Sequence, residues 1–257
     1  MSIYPRWFRA VRAVVRVFAE KMDVRGAERV QAPCVLVTRH LNNYGPVAVY
    51  LYSPVEFHIW SLHMFFDADK CREHFANYTL PQRARMPKPL ARALARLMSH
   101  PIAWFFRTQI RAVPVWRGLK TVMKTFDLSV DELEKGENLL IMSDVHYAQE
   151  GKEIGEIYTG FLHLGKLYYK RTGKALAFVP QYLAPSLKTM YLGKPIRFQP
   201  DAPLEEERRR ICEYLMEQVT EMAQALPKHI VVPYPNMPKK QYPCNIPQEA
   251  THEKTGN

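Results

Sequence analysis

The run Cys34-Val35-Leu36-Val37-Thr38-Arg39-His40-Leu41-Asn42-Asn43-Tyr44-Gly45-Pro46 sets the architecture. Its first five residues are apolar or β-branched with no polar alternation, the pattern of a strand buried on both faces. Arg39 and His40 follow directly, and a loop then leads into a further apolar stretch. A histidine at the end of such a strand, on a loop entering a helix, sits where α/β proteins expose reactive groups. Similar runs at 56–60, 112–116, 139–143, 176–182 and 189–192 read as strands, and helical patterns fill 88–106, 118–135, 157–171 and 204–226 between them. In the last of these, Leu204, Ile211, Leu215, Val219, Met222 and Leu226 form one stripe. Strands alternating with helices predict an α/β class, a mostly parallel sheet covered by helices. With roughly 150 residues per domain, the 257 residues are read as a single α/β domain over 31–235. A helical segment over 1–30 precedes it, and an extended tail over 236–257 follows.

The chain holds 36 Lys and Arg against 25 Asp and Glu, and the surplus is unevenly placed. Residues 1–120 carry 19 basic and 7 acidic side chains, whereas residues 121–257 carry 17 and 18. A basic half of this kind attracts phosphates, whether of anionic lipids, of nucleic acid or of a small anionic substrate. The 4 cysteines form no C-x-x-C pair, which argues against a zinc ribbon, a redox pair or a disulfide framework and suits a reducing compartment. No run reaches the ~18 consecutive apolar residues of a spanning helix. Arg6, Arg9, Arg12 and Arg16 interrupt the start where a signal peptide would be apolar.

Those arginines alternate with Trp7, Phe8, Val11, Val14, Val15 and Phe18, which recur at spacings of three and four. The pattern predicts a basic amphipathic helix. Two uses fit it. Trp7 and Phe8 can lie among lipid headgroups with Arg9, Arg12 and Arg16 on lipid phosphates, or the helix can pack on the domain with its arginines solvated. The first use implies a cytoplasmic protein held peripherally on the inner face of a membrane by an anionic surface. The stretch Lys88–Phe106, basic in front and apolar at its end, suits the same surface, an acyl-chain groove or a core helix with one charged face.

Four segments occur in an order that resembles the glycerol-phosphate and lysophospholipid acyltransferases. In the first, His40 and Pro46 fit the family pattern, and Gly45 stands where that pattern has aspartate. The second is Ala112-Val113-Pro114-Val115-Trp116-Arg117-Gly118, a strand ending in Arg-Gly. The third, Leu139 to Tyr147, is similar in position and flanks, with Asp144 in place of the family's glutamate and Tyr147 in place of its arginine. Ala177-Phe178-Val179-Pro180 matches the fourth. Leu192-Gly193-Lys194-Pro195-Ile196 and the helix at 204–226 look like the family's C-terminal part, so the resemblance spans roughly residues 1–235.

The resemblance implies fatty-acyl transfer from a thioester, acyl-CoA or acyl carrier protein, to a hydroxyl of a glycerolipid or lysophospholipid-type acceptor. A histidine serves as base and a carboxylate orients it, fixing the tautomer and stabilising the imidazolium. Here His40 is the expected base and Asp144 the expected carboxylate, because Gly45 supplies none. Arg117 and Gly118 are expected to hold the acceptor's phosphate, with Arg39 adding positive potential; His146, two residues past Asp144, is a second candidate base and a further contact for the substrate. Structural roles fit the same residues: Asp144 can cap a loop or pair with Arg117, and His40, His146 and Arg39 can be ordinary packed or solvated side chains. The loss at Gly45 also fits a non-catalytic relative that binds lipid or acyl carrier without turnover.

The 9 histidines show neither an H-x-x-x-H pair nor a Cys/His cluster, so no metal site is expected. No glycine-rich phosphate cradle occurs, so neither ATP nor NAD is expected, and no cofactor beyond the acyl donor. Nucleic acid is not an expected partner, because the arginines lie on an amphipathic stripe and no binding signature accompanies them. The sequence leaves the oligomeric state open.

Overall fold

The computed structural model describes residues 2–41, 44–116, 118, 120–143, 159–232 and 239–247. At its centre is β2 (Cys34–Thr38), flanked by β5 (Asn138–Met142) and β6 (Ala177–Ala184). Beyond β5 lie β3 (Phe57–Leu62) and the edge strand β4 (Val113–Val115). Beyond β6 lie β7 (Thr189–Leu192) and β1 (Asp23–Arg25), and β8 (Ile196–Arg197) pairs with the start of β6. From β6 through β2, β5 and β3 to β4 every pairing is parallel. Only β7 and β8 run antiparallel to β6, and β1 is parallel to β7. The mostly parallel α/β sheet expected from the sequence is what forms.

All five residues of β2 are buried, and they divide by the two-residue period of a strand. Val35 and Val37 join Leu139, Ile141 and Phe178 on one face, under α5 (Val122–Glu134), α6 (His163–Thr172) and α7 (Leu204–Gln224). Cys34 and Leu36 join Leu140, Val179 and Leu183 on the other, under α2 (Tyr44–Tyr52), with Phe8 of α1 (Arg6–Phe18) packed against that cluster. Asn138 ties the sheet's amino end, since its Oδ1 accepts from Cys34 N at 3.1 Å and its Nδ2 donates to the Glu56 carbonyl at 3.0 Å. A smaller cluster of Leu80, Ala91 and Ala95 lies outside the sheet, where α3 (Ala68–His74) and the π-helical stretch Phe75–Arg83 pack on α4 (Lys88–Trp104).

The chain beyond Pro227 returns to the body. Ile230 pairs with Cys244, and the buried Asn245 accepts from His229 N and donates to the carbonyl of Ala223 at the end of α7. Among the described residues no helix is long and apolar enough to cross a membrane.

Candidate functional site

The carboxyl ends of β2 and β5 lie side by side. Thr38 is in register with Met142, and Ser143 N donates to the Thr38 carbonyl at 3.3 Å. The chain segments that leave these two central strands therefore start together, at the end of a parallel sheet where α/β proteins bind ligands. His40 is two residues past Thr38 and half-buried. The next residue, Leu41, is buried and holds φ at 48°, a left-handed conformation that costs a branched side chain about 1–3 kcal/mol. Packing of Leu41 into the core cluster with Leu36 and Val49 holds that geometry.

The same turn accounts for Gly45. A Cβ there would lie 2.2 Å from the His40 carbonyl oxygen and 3.2 Å from that of Arg39. The first turn of α2 rests on the backbone of the His40 segment, and only glycine permits that approach. Position 45 is thus a packing position in this chain, and a carboxylate side chain does not fit the turn as built.

Arg39 departs from the usual exposure of a strand-end arginine: it is 5% exposed. Among the described residues its Nη1 has no hydrogen-bond partner, and neither does Oγ1 of the buried Thr38 nor the amide of the buried Gln181. Gln181 lies one residue past Pro180, which is in register with Val37, so Gln181 stands level with Thr38 at the carboxyl end of β2 and in the middle of β6. Unpaired polar groups are expensive to bury, a guanidinium most of all. Together they give this end of the sheet a cationic, donor-rich lining suited to a phosphate or carboxylate. On β6, Tyr182 donates from its hydroxyl to His229 Nε2 at 2.7 Å, while His229 Nδ1 donates to the Pro227 carbonyl at 2.8 Å. Burial pushes the His229 pKa down.

Asp144, His146 and Arg117 lie outside the described residues, so the structure places only their flanks. Gly118 is exposed and opens α5: its carbonyl accepts from Thr121 N at 2.9 Å and Val122 N at 2.8 Å. Before it, the Trp116 ring stacks on His63 with centroids 6.0 Å apart.

The residues expected at a membrane divide between two faces of α1. Phe8 and Arg12 turn toward the protein, in contrast to the outward contacts expected of them. Phe8 packs on Tyr4, Tyr50 and Phe105, because the one face of α1 that meets the sheet layer needs an apolar filler. Arg12 donates to the carbonyls of Leu51 at 3.1 Å and Ser53 at 2.8 Å, filling acceptors that the end of α2 leaves open. Trp7 is half-exposed; it donates to Gln109 Oε1 at 2.7 Å and stacks on Trp104. Arg9 and Arg16 are exposed, and Arg16 sits 5.9 Å over the Tyr52 ring. Val11, Val14 and Val17 are exposed with them, and Phe18 is 85% exposed.

A second titratable group gathers where the sequence shows no motif. His58, Glu132 and Glu137 converge at the amino end of β3, across the sheet from His40. Two of its members are 79 positions apart, and no local spacing signals such a cluster.

The fold is similar to that of the crystal structure of the 1-acyl-sn-glycerophosphate (LPA) acyltransferase, PlsC, from Thermotoga maritima. The TM-score is 0.50 and the identity 11%, over 86% of this chain and 81% of that one. No protein-family model and no curated protein sequence matches the chain. The likeness at this identity is one of architecture: this chain has the fold of that acyltransferase, and its own His40 stands on the loop after its central strand.

Proposed function

We propose that the protein transfers a fatty-acyl group from a thioester, acyl-CoA or acyl carrier protein, to a hydroxyl of a glycerolipid or lysophospholipid-type acceptor at a membrane surface. The observation that carries this reading is His40 at the carboxyl end of the central strand of an acyltransferase-like fold, with the buried Arg39 beside it, whose Nη1 has no partner among the described residues. His40 takes the proton of the acceptor hydroxyl as the oxygen attacks the thioester carbonyl. The carbon–sulfur bond then breaks, and the imidazolium returns a proton to the departing thiolate. Arg39, with Arg117, Gly118 and His146 from neighbouring segments, receives the acceptor's anionic group. Asp144 is the carboxylate assigned to orient the imidazole, since the turn leaves no room for one at Gly45. The exposed valines and Phe18 of α1, with Arg9 and Arg16, support contact with an anionic membrane on its cytoplasmic face.

Thiol release by the purified chain, measured over a panel of acyl donors and hydroxyl acceptors, tests this reading. His40→Ala is expected to lower turnover about 100- to 10,000-fold, and Arg39→Gln to raise the acceptor KM more than it lowers kcat. Turnover unaffected by His40→Ala sinks the catalytic assignment. The close packing at Gly45 favours a second reading, a non-catalytic lipid- or acyl-carrier-binding relative. In that case the unmodified chain releases no thiol above background, and binding survives His40→Ala.

A further inference from the structure

We propose that His58, Glu132 and Glu137 form a binding site for a divalent transition-metal ion of the zinc class, apart from the His40 turn and independent of the acyltransferase reading. His58 is fully buried at the start of β3, on the face covered by α5. Its Nδ1 lies 2.6 Å from the carbonyl oxygen of Arg111, an acceptor only, so Nδ1 carries the proton. In a neutral ring the lone pair is then on Nε2. That atom is in contact with a carboxylate oxygen of Glu137 and is 3.7 Å from Oε2 of Glu132. The three donor atoms lie within 4.8 Å of one another. A backbone carbonyl that fixes the tautomer and aims the free nitrogen is the usual outer support of a metal-bound histidine.

The surroundings of the two glutamates also point to a cation. Glu132 sits in the last turn of α5, and the chain reverses at Gly136, φ 83°, with Glu137 N donating to the Glu132 carbonyl at 3.1 Å. This reversal returns Glu137 to the same point. The carboxyl end of a helix carries partial negative charge, so acids are disfavoured there and cations favoured. Two carboxylates, a helix terminus and the Arg111 carbonyl thus surround one imidazole. Lys135 Nζ, 2.9 Å from Glu132 Oε2, is the half-exposed counter-charge that an ion at this point would replace.

A proton on Nε2 serves Glu137 but leaves Glu132 beyond hydrogen-bond reach. An ion about 2.0–2.2 Å from each donor engages all three and leaves a fourth position for water. Such an ion clamps β3 to the end of α5 and the start of β5.

The experiment titrates Zn2+ alone into the chelator-treated full chain by calorimetry, with metal content after dialysis measured by mass spectrometry. One retained equivalent and a Zn2+-dependent rise in Tm are expected. Glu132→Gln and Glu137→Gln keep side-chain volume at the rim and should each weaken Zn2+ binding by at least about 100-fold, because loss of an outer support alone costs 10- to 100-fold. Glu134→Gln, whose carboxylate pairs with Arg171, should leave binding unchanged. Failure of the unmodified chain to hold stoichiometric Zn2+, or equal binding by both cluster variants, overturns the proposal and leaves an imidazolium–carboxylate cluster only.

Discussion

At Gly45 a hydrogen in place of a side chain lets the first turn of α2 lie against the His40 carbonyl. Gly45→Ala and Gly45→Asp should therefore destabilise the fold to a similar degree, by about 1–3 kcal/mol as for other overpacked sites. Chemical denaturation of both variants checks this; a stable Gly45→Asp with raised turnover would show instead that the position can hold a dyad carboxylate. The cysteines offer a second residue-scale check. Cys34 is buried, and desolvation pushes its thiol up to about 12; Cys71, also buried, is pushed up to about 11. Cys244 is exposed. Because the thiolate is the reactive form, a thiol reagent at neutral pH should label Cys244 in the native protein and reach Cys34 only on unfolding, as mapped by mass spectrometry.

At the scale of elements, α1 packs on the body through Arg12, and the proposed membrane contact would fall to other arginines. Arg12→Ala removes two charge-assisted bonds to the end of α2 and should lower stability by about 1–2 kcal/mol in denaturant titrations. Reversing Arg6 and Arg9, both exposed, should spare stability and weaken sedimentation with anionic vesicles, since each basic residue near such a surface contributes about 1 kcal/mol. The effect should shrink as salt rises. Unchanged sedimentation after that reversal would leave packing as the purpose of α1. The periodicity announced this helix, but the inward turn of Arg12 depends on carbonyls some forty residues away. No pattern within the helix marks it. α2 was foreshadowed only as the helix that the His40 loop enters: Tyr44–Tyr52 is apolar on nearly all sides and carries Gly45 and Pro46 in its first turn, so it shows no stripe that would give its bounds. β1 is short and largely exposed, and lacks the apolar run that revealed β2, β5 and β6.

For the molecule as a whole, acid should be destabilising. Burial lowers the folded pKa of His229, and of His163 and His74, below the unfolded value near 6.5. Each histidine contributes most above that pH, and the contribution is lost as pH falls below it, because the unfolded chain takes up the proton more readily. The slope is up to about 1.4 kcal/mol per pH unit for each proton taken up. Unfolding free energies measured between pH 7 and pH 5 should fall, and His229→Gln should flatten part of that decline. The architecture was legible because a parallel sheet needs strands buried on both faces, and such strands read as unbroken apolar runs. The candidate site was legible only as far as His40 and its neighbours follow such a run. The orphaned Gln181 and the cluster at His58 depend on which strands become neighbours, and that is a property of topology. The Arg12 anchor has a mechanical consequence of the same global kind. One end of α2 is held by α1, and the other abuts His40. A nine-residue helix is a stiff rod about 13 Å long. A load on α1 is therefore transmitted along that rod to the turn carrying the imidazole, so under the proposed function attachment and proton transfer would share one lever.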